Sequence, residues 1–485
     1  MGSAPPVEEG TAAPPVEEVA QRPSRNQGAP AAVVCVDFGS TFTKASLVDL
    51  ASARIVAAAS HPTTIETDVL DGFDACLAEL VAHDPRARDA EVLACSSAGG
   101  GLRIAVIGNE ELVTAEAGRR VALSSGGRVV GVLAASRHDP IADLADLAPD
   151  VVLLTGGTDG GNSEMLLACA HDLVTGPWRG PVVVAGNVDA HDEVGALLHQ
   201  AGFPIVVTDN VVPRIGVLHP DGARSAIREM FLSHVIGGKH LSKRADFTAM
   251  VRGATPDVVL TGVELLARGL DLDHPGAGDV VVVDVGGATT DVHSVVELDA
   301  EDLDDPDGLG REVVATTPVT RTVEGDLGMR WSAVDTVEAA GLDDLAEAAV
   351  RRHADPGFLP DSDREADIDE AIAHAAVGLA LRRHAGRRRV VVSPEGRVVE
   401  RTGKDLRQVH LLVGSGGVLR NGRPGVEGRV FDGSIGEVDG GWQLPRVPRV
   451  VVDRAYVLAA AGLLADVHPE VAHRLATTLL AGPGR

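Results

Sequence analysis

Two short stretches of this chain are built on one plan, and a chain that carries the plan twice has few ways to fold. Val33-Val34-Cys35-Val36-Asp37-Phe38-Gly39-Ser40-Thr41 reads as a buried strand ending in Asp-x-Gly and two hydroxyls. Val280-Val281-Val282-Val283-Asp284-Val285-Gly286-Gly287-Ala288-Thr289-Thr290-Asp291 repeats it 247 residues later (284 minus 37). In both, a strand-like pattern resumes at once, as Lys44 to Val48 and as Val292 to Val296. Each unit predicts a β-hairpin with a glycine-containing bend, not a strand feeding a helix. A single Asp-x-Gly is a common turn after a strand. Two copies in matching context, each opening a domain-sized block, point to a repeated architecture.

The residue types suit phosphate chemistry. A carboxylate at the C-terminal end of a buried strand projects from a rigid support, and Mg²⁺ prefers one or two carboxylates together with waters and substrate phosphates. Glycine lets backbone N–H groups approach phosphate oxygens without a Cβ in the way. The hydroxyls of Ser40, Thr41, Thr289 and Thr290 add donors without charge. Two such hairpins facing each other would grip a triphosphate from both sides, in a reaction governed by positioning and charge stabilisation. A third element, Leu411-Leu412-Val413 followed by Gly414-Ser415-Gly416-Gly417, is a strand entering a glycine-rich turn along which a flat purine base could lie.

The remaining pattern is α/β, with β-branched runs alternating with Ala/Leu-rich helical spacing, the mark of mostly parallel sheets. Strands are expected at Val33–Val36, Lys44–Val48, Arg54–Ser60, Glu91–Ser96, Leu102–Ile107, Val151–Leu154, Pro181–Val184 and Ile205–Val207. In the second block they are expected at Val280–Val283, Val390–Val392, Leu411–Val413 and Val450–Val452. Helices are expected at Glu66–Ala82, Trp331–Val350, Ile368–Arg383 and Ala455–Leu480. Pro256, Gly262 and the turn-rich Asp271–Gly278 suggest a boundary. The organisation is thus a tail at 1–30, a first lobe at 31–275 with extra α/β units near 150–215, and a second lobe at 276–485.

Composition narrows the partners. Of 485 residues, 8 Phe, 3 Trp and 1 Tyr make an aromatic content of only 2%, so the sheets must pack from Val, Leu, Ile and Ala. Few rings also argue against a pocket that stacks a corrinoid or nucleic-acid bases. The net charge of −27 repels phosphate backbones and anionic lipid, against nucleic-acid or membrane-surface binding. No run approaches the roughly 18 apolar residues of a membrane span. Met1–Pro30, with Pro5-Pro6, Pro14-Pro15 and paired glutamates, reads as a disordered tail without a signal-peptide core. Cys35, Cys76, Cys95 and Cys169 lie far apart with no C-x-x-C, which fits a reducing cytoplasm and excludes a zinc or disulfide framework.

Other features read mainly as structure. Thr155–Asn162 is a glycine-rich turn with one acid, Asp159, open to nucleotide, partner or packing roles. Asp189, His191, Asp192 and Glu193 sit at an expected helix start, where the helix dipole favours acids without any metal. Asp299–Asp307 reads as a solvated acidic loop and Arg387–Arg389 as a solvated face.

The hairpin pair followed by a glycine-rich loop resembles the ATPase superfamily of actin, the seventy-kilodalton heat-shock proteins and the sugar kinases. Asp37–Lys44 resembles its first phosphate motif, Asp284–Asp291 its second and Leu411–Gly417 its adenosine motif. From about residue 31 onward the chain resembles one branch, the MutL or GlmL family of accessory proteins to adenosylcobalamin-dependent glutamate mutase. The matches are Asp37-Phe38-Gly39-Ser40-Thr41-Phe42-Thr43-Lys44, Thr155–Asn162 and Val323-Glu324-Gly325-Asp326-Leu327-Gly328-Met329. The resemblance implies two actin-like (ribonuclease H-like) lobes around an ATP/ADP cleft and an ATP-dependent reactivating factor for such a mutase or a related aminomutase. It makes Asp37 and Asp284 the residues organising Mg²⁺ and the attacking water, with Asp291 as the second acid. Gly39, Ser40, Thr41, Lys44, Gly286, Gly287, Thr289 and Thr290 then belong to the phosphate motifs, and Gly414–Gly417 holds the nucleoside. The main rival is a small-molecule kinase on the same fold, whose base could be Asp159 or Asp189. A filament-forming ATPase ranks behind both.

Overall fold

The computed structural model describes residues 31–108, 114–134, 142–297, 317–393 and 396–481, and at 142–143, 388–393 and 396–402 it describes the backbone alone. The tail and the acidic loop Asp299–Asp307 lie outside the described residues. The fold is mixed α/β. β1 (Ala32–Phe38), β2 (Phe42–Asp49) and β3 (Arg54–Pro62) form an antiparallel meander, and β4 (Glu91–Ser96) returns parallel to β1. The chain then builds a separate all-parallel sheet from β5 (Arg103–Gly108), β6 (Arg128–Ala134), β7 (Val151–Leu154), β8 (Val182–Val184) and β9 (Ile205–Val207), in the order β6-β5-β7-β8-β9. Only afterwards does β10 (Val251–Ala254) close the first sheet, in the order β3-β2-β1-β4-β10.

The second block repeats the first plan. β11 (Val280–Val285), β12 (Thr290–Val295) and β13 (Val319–Glu324) form a meander. β14 (Arg387–Ser393) and β15 (Gly396–Thr402) make a two-stranded ribbon, and β16 (Leu411–Ser415) and β17 (Arg449–Val452) complete the sheet β13-β12-β11-β16-β17. Read from the meander edge, both five-stranded sheets have the order 3-2-1-4-5, with the first three strands antiparallel and the rest parallel. The repeat seen in two hairpins is therefore a repeat of two whole sheets.

Side-chain parity decides what each face meets. Along β1, Val34, Val36 and Phe38 enter one core with Phe73 and Cys76 of the helix Val69–His83. Val33 and Cys35 face the other way, onto Val258, Val457 and Ala460. Along β11, Val281, Val283 and Val285 join the core under the helix Asp363–His384. Val280 and Val282 meet Val259, Val263 and Leu458 instead. The helices Thr255–Arg268 and Val457–Leu464 thus form a shared layer between the two sheets. Asp37 and Asp284 continue the stripes that face this layer, because side chains alternate along a strand.

Of the expected boundary signals, Pro256 and Gly262 do not break the chain, since a helix runs through both. Pro256 lies in its first turn, where the missing N–H costs nothing. Gly262 lies where the two helices cross, and a Cβ there would stand 2.2 Å from the carbonyl oxygen of Leu458. Gly462 is its counterpart, at 1.9 Å from that of Val258. The expected helix Trp331–Val350 is broken into Ala333–Ala340 and Ala346–Ala354 around Gly341, whose φ is 66°. All four cysteines are buried and unpaired. Among the described residues no helix is long and apolar enough to cross a membrane.

The crossing tolerates no side chain at either glycine. Gly462→Ala is expected to destabilise the protein by roughly 1–3 kcal/mol through backbone displacement, seen as a lower melting temperature by calorimetry.

Candidate functional site

The two hairpins have the same backbone at their turns. Gly39 N–H donates to Phe42 O at 3.2 Å, and Gly286 N–H donates to Thr289 O at 2.9 Å. A Cβ at Gly39 would lie 2.6 Å from Phe42 O, and one at Gly286 would lie 2.9 Å from Thr289 O. Glycine is required at both by this close approach, not by an unusual φ. The turns also face each other: a Cβ at Gly287 would stand 3.5 Å from Thr41 Oγ1.

Both turns are held from behind by their carbonyls. In the first, Thr63 N–H donates to Thr41 O at 2.9 Å and Thr63 Oγ1 donates to Gly39 O at 2.8 Å. In the second, Met329 N–H donates to Gly286 O (2.9 Å), Arg330 N–H to Gly287 O (2.8 Å) and Ser332 Oγ to Ala288 O (2.7 Å). The Val323–Met329 segment is thus a buttress for the second turn. Gly328 must be glycine there, since a Cβ would lie 2.7 Å from the Ala288 carbonyl carbon. With the carbonyls occupied, the N–H groups of Ser40, Thr41, Gly287 and Ala288 have no acceptor among the described residues. Ser40 is exposed, and Thr41, Gly287 and Ala288 are half-buried. This is the arrangement an anion needs.

Behind the turns stand the two aspartates. Asp37 is 3% exposed. Thr255 Oγ1 donates to its Oδ1 at 2.6 Å and the Tyr456 hydroxyl to its Oδ2 at 2.9 Å. Lys44, opposite it in the hairpin register, brings Nζ within 3.5 Å of Oδ2. The Cys95 thiol donates to Oδ1 at 3.7 Å. Burial pushes that thiol well above its ordinary pKa, and the Asp37 charge adds to the rise, so it stays protonated.

Asp284 keeps some exposed surface, yet protein around its carboxyl removes enough water to raise its pKa. Lys44 opposes the rise, Asp291 and Asp37 add to it, and a hydrogen bond with Ser415 opposes it again. Asp291 occupies the register position in the second hairpin that Lys44 holds in the first. Its Oδ2 accepts from Thr289 Oγ1 at 3.0 Å. Its Oδ1 is gripped by the buried Arg321, from Nη2 at 2.6 Å and Nε at 3.0 Å. Arg321 Nη1 reaches Leu123 O and Gly127 O at 3.1 Å each, at the end of the helix Thr114–Ser124. One guanidinium therefore ties the second hairpin to the first lobe.

The glycine-rich turn after β16 divides its roles. A Cβ at Gly414 would meet Leu419 and Phe431 side chains at 2.9 Å, and one at Gly416 (φ 102°) would lie 2.1 Å from Val285 O. Chain packing demands glycine at both. Gly417 is exposed with open space around it, while Ser415 is buried beside Asp284. Thr290 is fully buried with Oγ1 unpartnered, so it lies behind the turn surface.

The remaining candidates lie elsewhere. Asp159 Oδ1 accepts from Asn210 Nδ2 (2.8 Å) and Val188 N–H (3.3 Å), and Asp189 Oδ2 accepts from Gly160 N–H (3.0 Å). Both hold the Thr155–Asn162 turn at the C-terminal edge of the inserted parallel sheet. His191 starts the helix His191–Gln200 and its Nε2 meets Gly186 O at 3.0 Å. Among the described residues no three His, Cys, Asp or Glu side chains converge on a metal site. A cation held partly by phosphate and water needs no such cage, so Asp37 and Asp284 behind the turns fit Mg²⁺. Thr63, Thr255, Arg321, Ser332 and Tyr456 are site residues that no motif exposed. The only signal available was that Tyr456 is the sole tyrosine.

Residues 33–480 match the family model described as MutL protein. The chain is 36% identical over 459 residues to Protein MutL of Clostridium tetanomorphum, covering 92% of this chain and 98% of that protein. Among solved structures, nucleotide-free acetone carboxylase aligns at 15% identity and TM-score 0.39, over 89% of this chain and 70% of that one. The inorganic polyphosphate/ATP-glucomannokinase of Arthrobacter sp. strain KM aligns at 13% and 0.26, over 91% and 98%. Superpositions this loose carry no weight, and the actin-like plan is shown by the strand order of the two sheets.

Asp284 should weaken the ligand-free protein. Its carboxyl pKa is raised on folding, so the folded state holds its proton more tightly and stability falls as pH rises from 3.8 through the raised value. The penalty grows with pH across that window. Asp284→Asn is expected to melt higher than the parent at pH 7, by roughly 2–4 °C per kcal/mol recovered, with the gain disappearing below the ordinary carboxylate pKa. Paired thermal melts at the two pH values check this.

Proposed function

The chain belongs to the MutL family, and on that footing we propose that it binds Mg-ATP between the two hairpin turns and serves as an ATP-dependent reactivating factor for an adenosylcobalamin-dependent mutase. The observation that carries the nucleotide reading is the pair of facing turns held from behind through the carbonyls of Gly39, Thr41, Gly286, Gly287 and Ala288. Their free N–H groups, with the Ser40 and Thr41 hydroxyls, would bind the phosphates from both lobes. Thr289, whose hydroxyl holds Asp291, keeps the second turn in shape. Asp37 and Asp284 would hold Mg²⁺ and orient the attacking water, with Asp291 and its Arg321 setting the charge beside them. Mg²⁺ would neutralise phosphate charge that an acidic protein otherwise repels. Gly417 would offer its bare backbone to the nucleoside, on the shelf that Gly414, Ser415 and Gly416 build.

Nucleotide state would change client affinity by changing how the two lobes stand, since a ligand shifts an equilibrium only through differential contact with its states. Arg321 supports this, because any movement of the second hairpin pulls on the end of the helix Thr114–Ser124. The client class rests on the family resemblance, and cytoplasmic action follows from such a client.

Titration calorimetry with Mg-ATP is expected to show a single site. An absence of heat over a protein concentration series would sink the nucleotide reading. ADP formation is expected to be slow alone and to rise in proportion to added mutase. ADP that rises instead with a small-molecule acceptor would replace the reactivating role with a kinase. Asp284→Ala is expected to lower ADP formation at least about tenfold.

A further inference from the structure

Tyr456 combines three features that packing alone does not call for. Its backbone is left-handed at φ 61° and ψ 41°, a conformation that strains a bulky side chain and persists where surroundings over-determine it. Two cations stand over its ring, Lys44 Nζ 4.1 Å from the centroid and Arg420 Cζ 4.9 Å. Its hydroxyl donates to Asp37 Oδ2. Burial and the nearby carboxylates push its pKa well above 10.0, so it remains a donor.

The strained residue is anchored on its own side. Asp453 accepts from Val457 N–H at 2.7 Å and Leu458 N–H at 3.0 Å, capping the helix Val457–Leu464. The Asp453 N–H donates to Gly414 O at 2.9 Å. One short segment of the second lobe therefore fixes the glycine-rich turn, starts the crossing helix and sends a hydroxyl into the first lobe. Asp37 Oδ1 receives the Thr255 hydroxyl and the longer Cys95 thiol, and Oδ2 receives the Tyr456 hydroxyl and, at 3.5 Å, Lys44 Nζ. The Tyr456 hydroxyl is the short bond on Oδ2, and without it that oxygen keeps only the longer Lys44 contact, so the carboxylate is freer to turn.

We propose that Tyr456 is a positioning residue for Asp37, and that its hydroxyl bond changes as nucleotide alters the relation of the lobes. The inference rests on the nucleotide reading above. It assigns Tyr456 to the orientation of Asp37 and not to holding nucleotide. Removal of the hydroxyl should therefore spare binding and slow turnover.

The test uses the full chain and Tyr456→Phe, which keeps the ring and its cation contacts. The variant is expected to bind Mg-ATP within about threefold of the parent by calorimetry, and to form ADP at least about tenfold more slowly. Because the chain has one tyrosine, 3-fluorotyrosine labelling of the parent gives a single ¹⁹F resonance. That resonance is expected to shift with Mg-ATP and not with Mg²⁺ alone. Parent-like turnover in Tyr456→Phe overturns the proposal, as does binding lost in step with turnover. A resonance that stays still while calorimetry shows ATP bound also overturns it. If the parent itself binds no Mg-ATP, the nucleotide reading fails first and takes this one with it.

Discussion

The cleft depends on how closely two helices can cross. At Gly262 and Gly462 the absence of side chains lets the helices Thr255–Arg268 and Val457–Leu464 come together with backbone against backbone. The pair is the layer on which both five-stranded sheets rest, with Cys35 and Leu93 on one side and Val282 and Val413 on the other. Both hydroxyls that bond Asp37 stand at the starts of these helices, Thr255 as the first residue of one and Tyr456 just before the other. A looser crossing would separate the lobes and would also remove both hydroxyls from the carboxylate.

The two hairpins share a backbone and differ in charge. Opposite the strand aspartate, the first carries Lys44 and the second Asp291. Lys44 offsets Asp37, and the buried Arg321 offsets Asp291. Asp284 makes no ion pair among the described residues, and burial raises its pKa against the more distant pull of Lys44. In a protein of net charge −27, this local balance is what the approach of a polyanion would require. Surface charge is screened over about 8–10 Å, so the few charges lining the cleft outweigh the many on the exterior.

Much of the fold was legible in local pattern. The apolar run before Asp37, the glycine two residues later and the return at Lys44 specify a hairpin, and the echo at Asp284 specifies another, because strand and turn preferences act over a few residues. Less legible were elements defined by distant partners. β10 is four residues, Val251–Ala254, whose identity as the last strand of the first sheet depends on β4 more than 150 residues earlier. The inserted sheet begins at Arg103, and β6 is an edge strand with no cue stronger than the helix before it. Pro256 and Gly262 looked like punctuation because each breaks regular structure in isolation. In context, one sits in a first turn and the other at a crossing.

The sequence by itself determined the two Asp-x-Gly hairpin turns, the α/β class and the material of the cores, since these follow from side-chain types within about a dozen neighbouring residues. Tertiary structure alone decided that Thr41 of one turn faces Gly287 of the other. It also decided that Thr63, Met329, Arg330 and Ser332 close the turns from behind, and that Asp291 is neutralised by Arg321 while Asp37 is held by Tyr456. Those partners lie from about 20 to more than 400 residues apart in the chain. Nothing in local propensity encodes such pairings. They arise from the strand order of two sheets and from the missing side chains of Gly262 and Gly462, which bring the sheets onto one pair of helices.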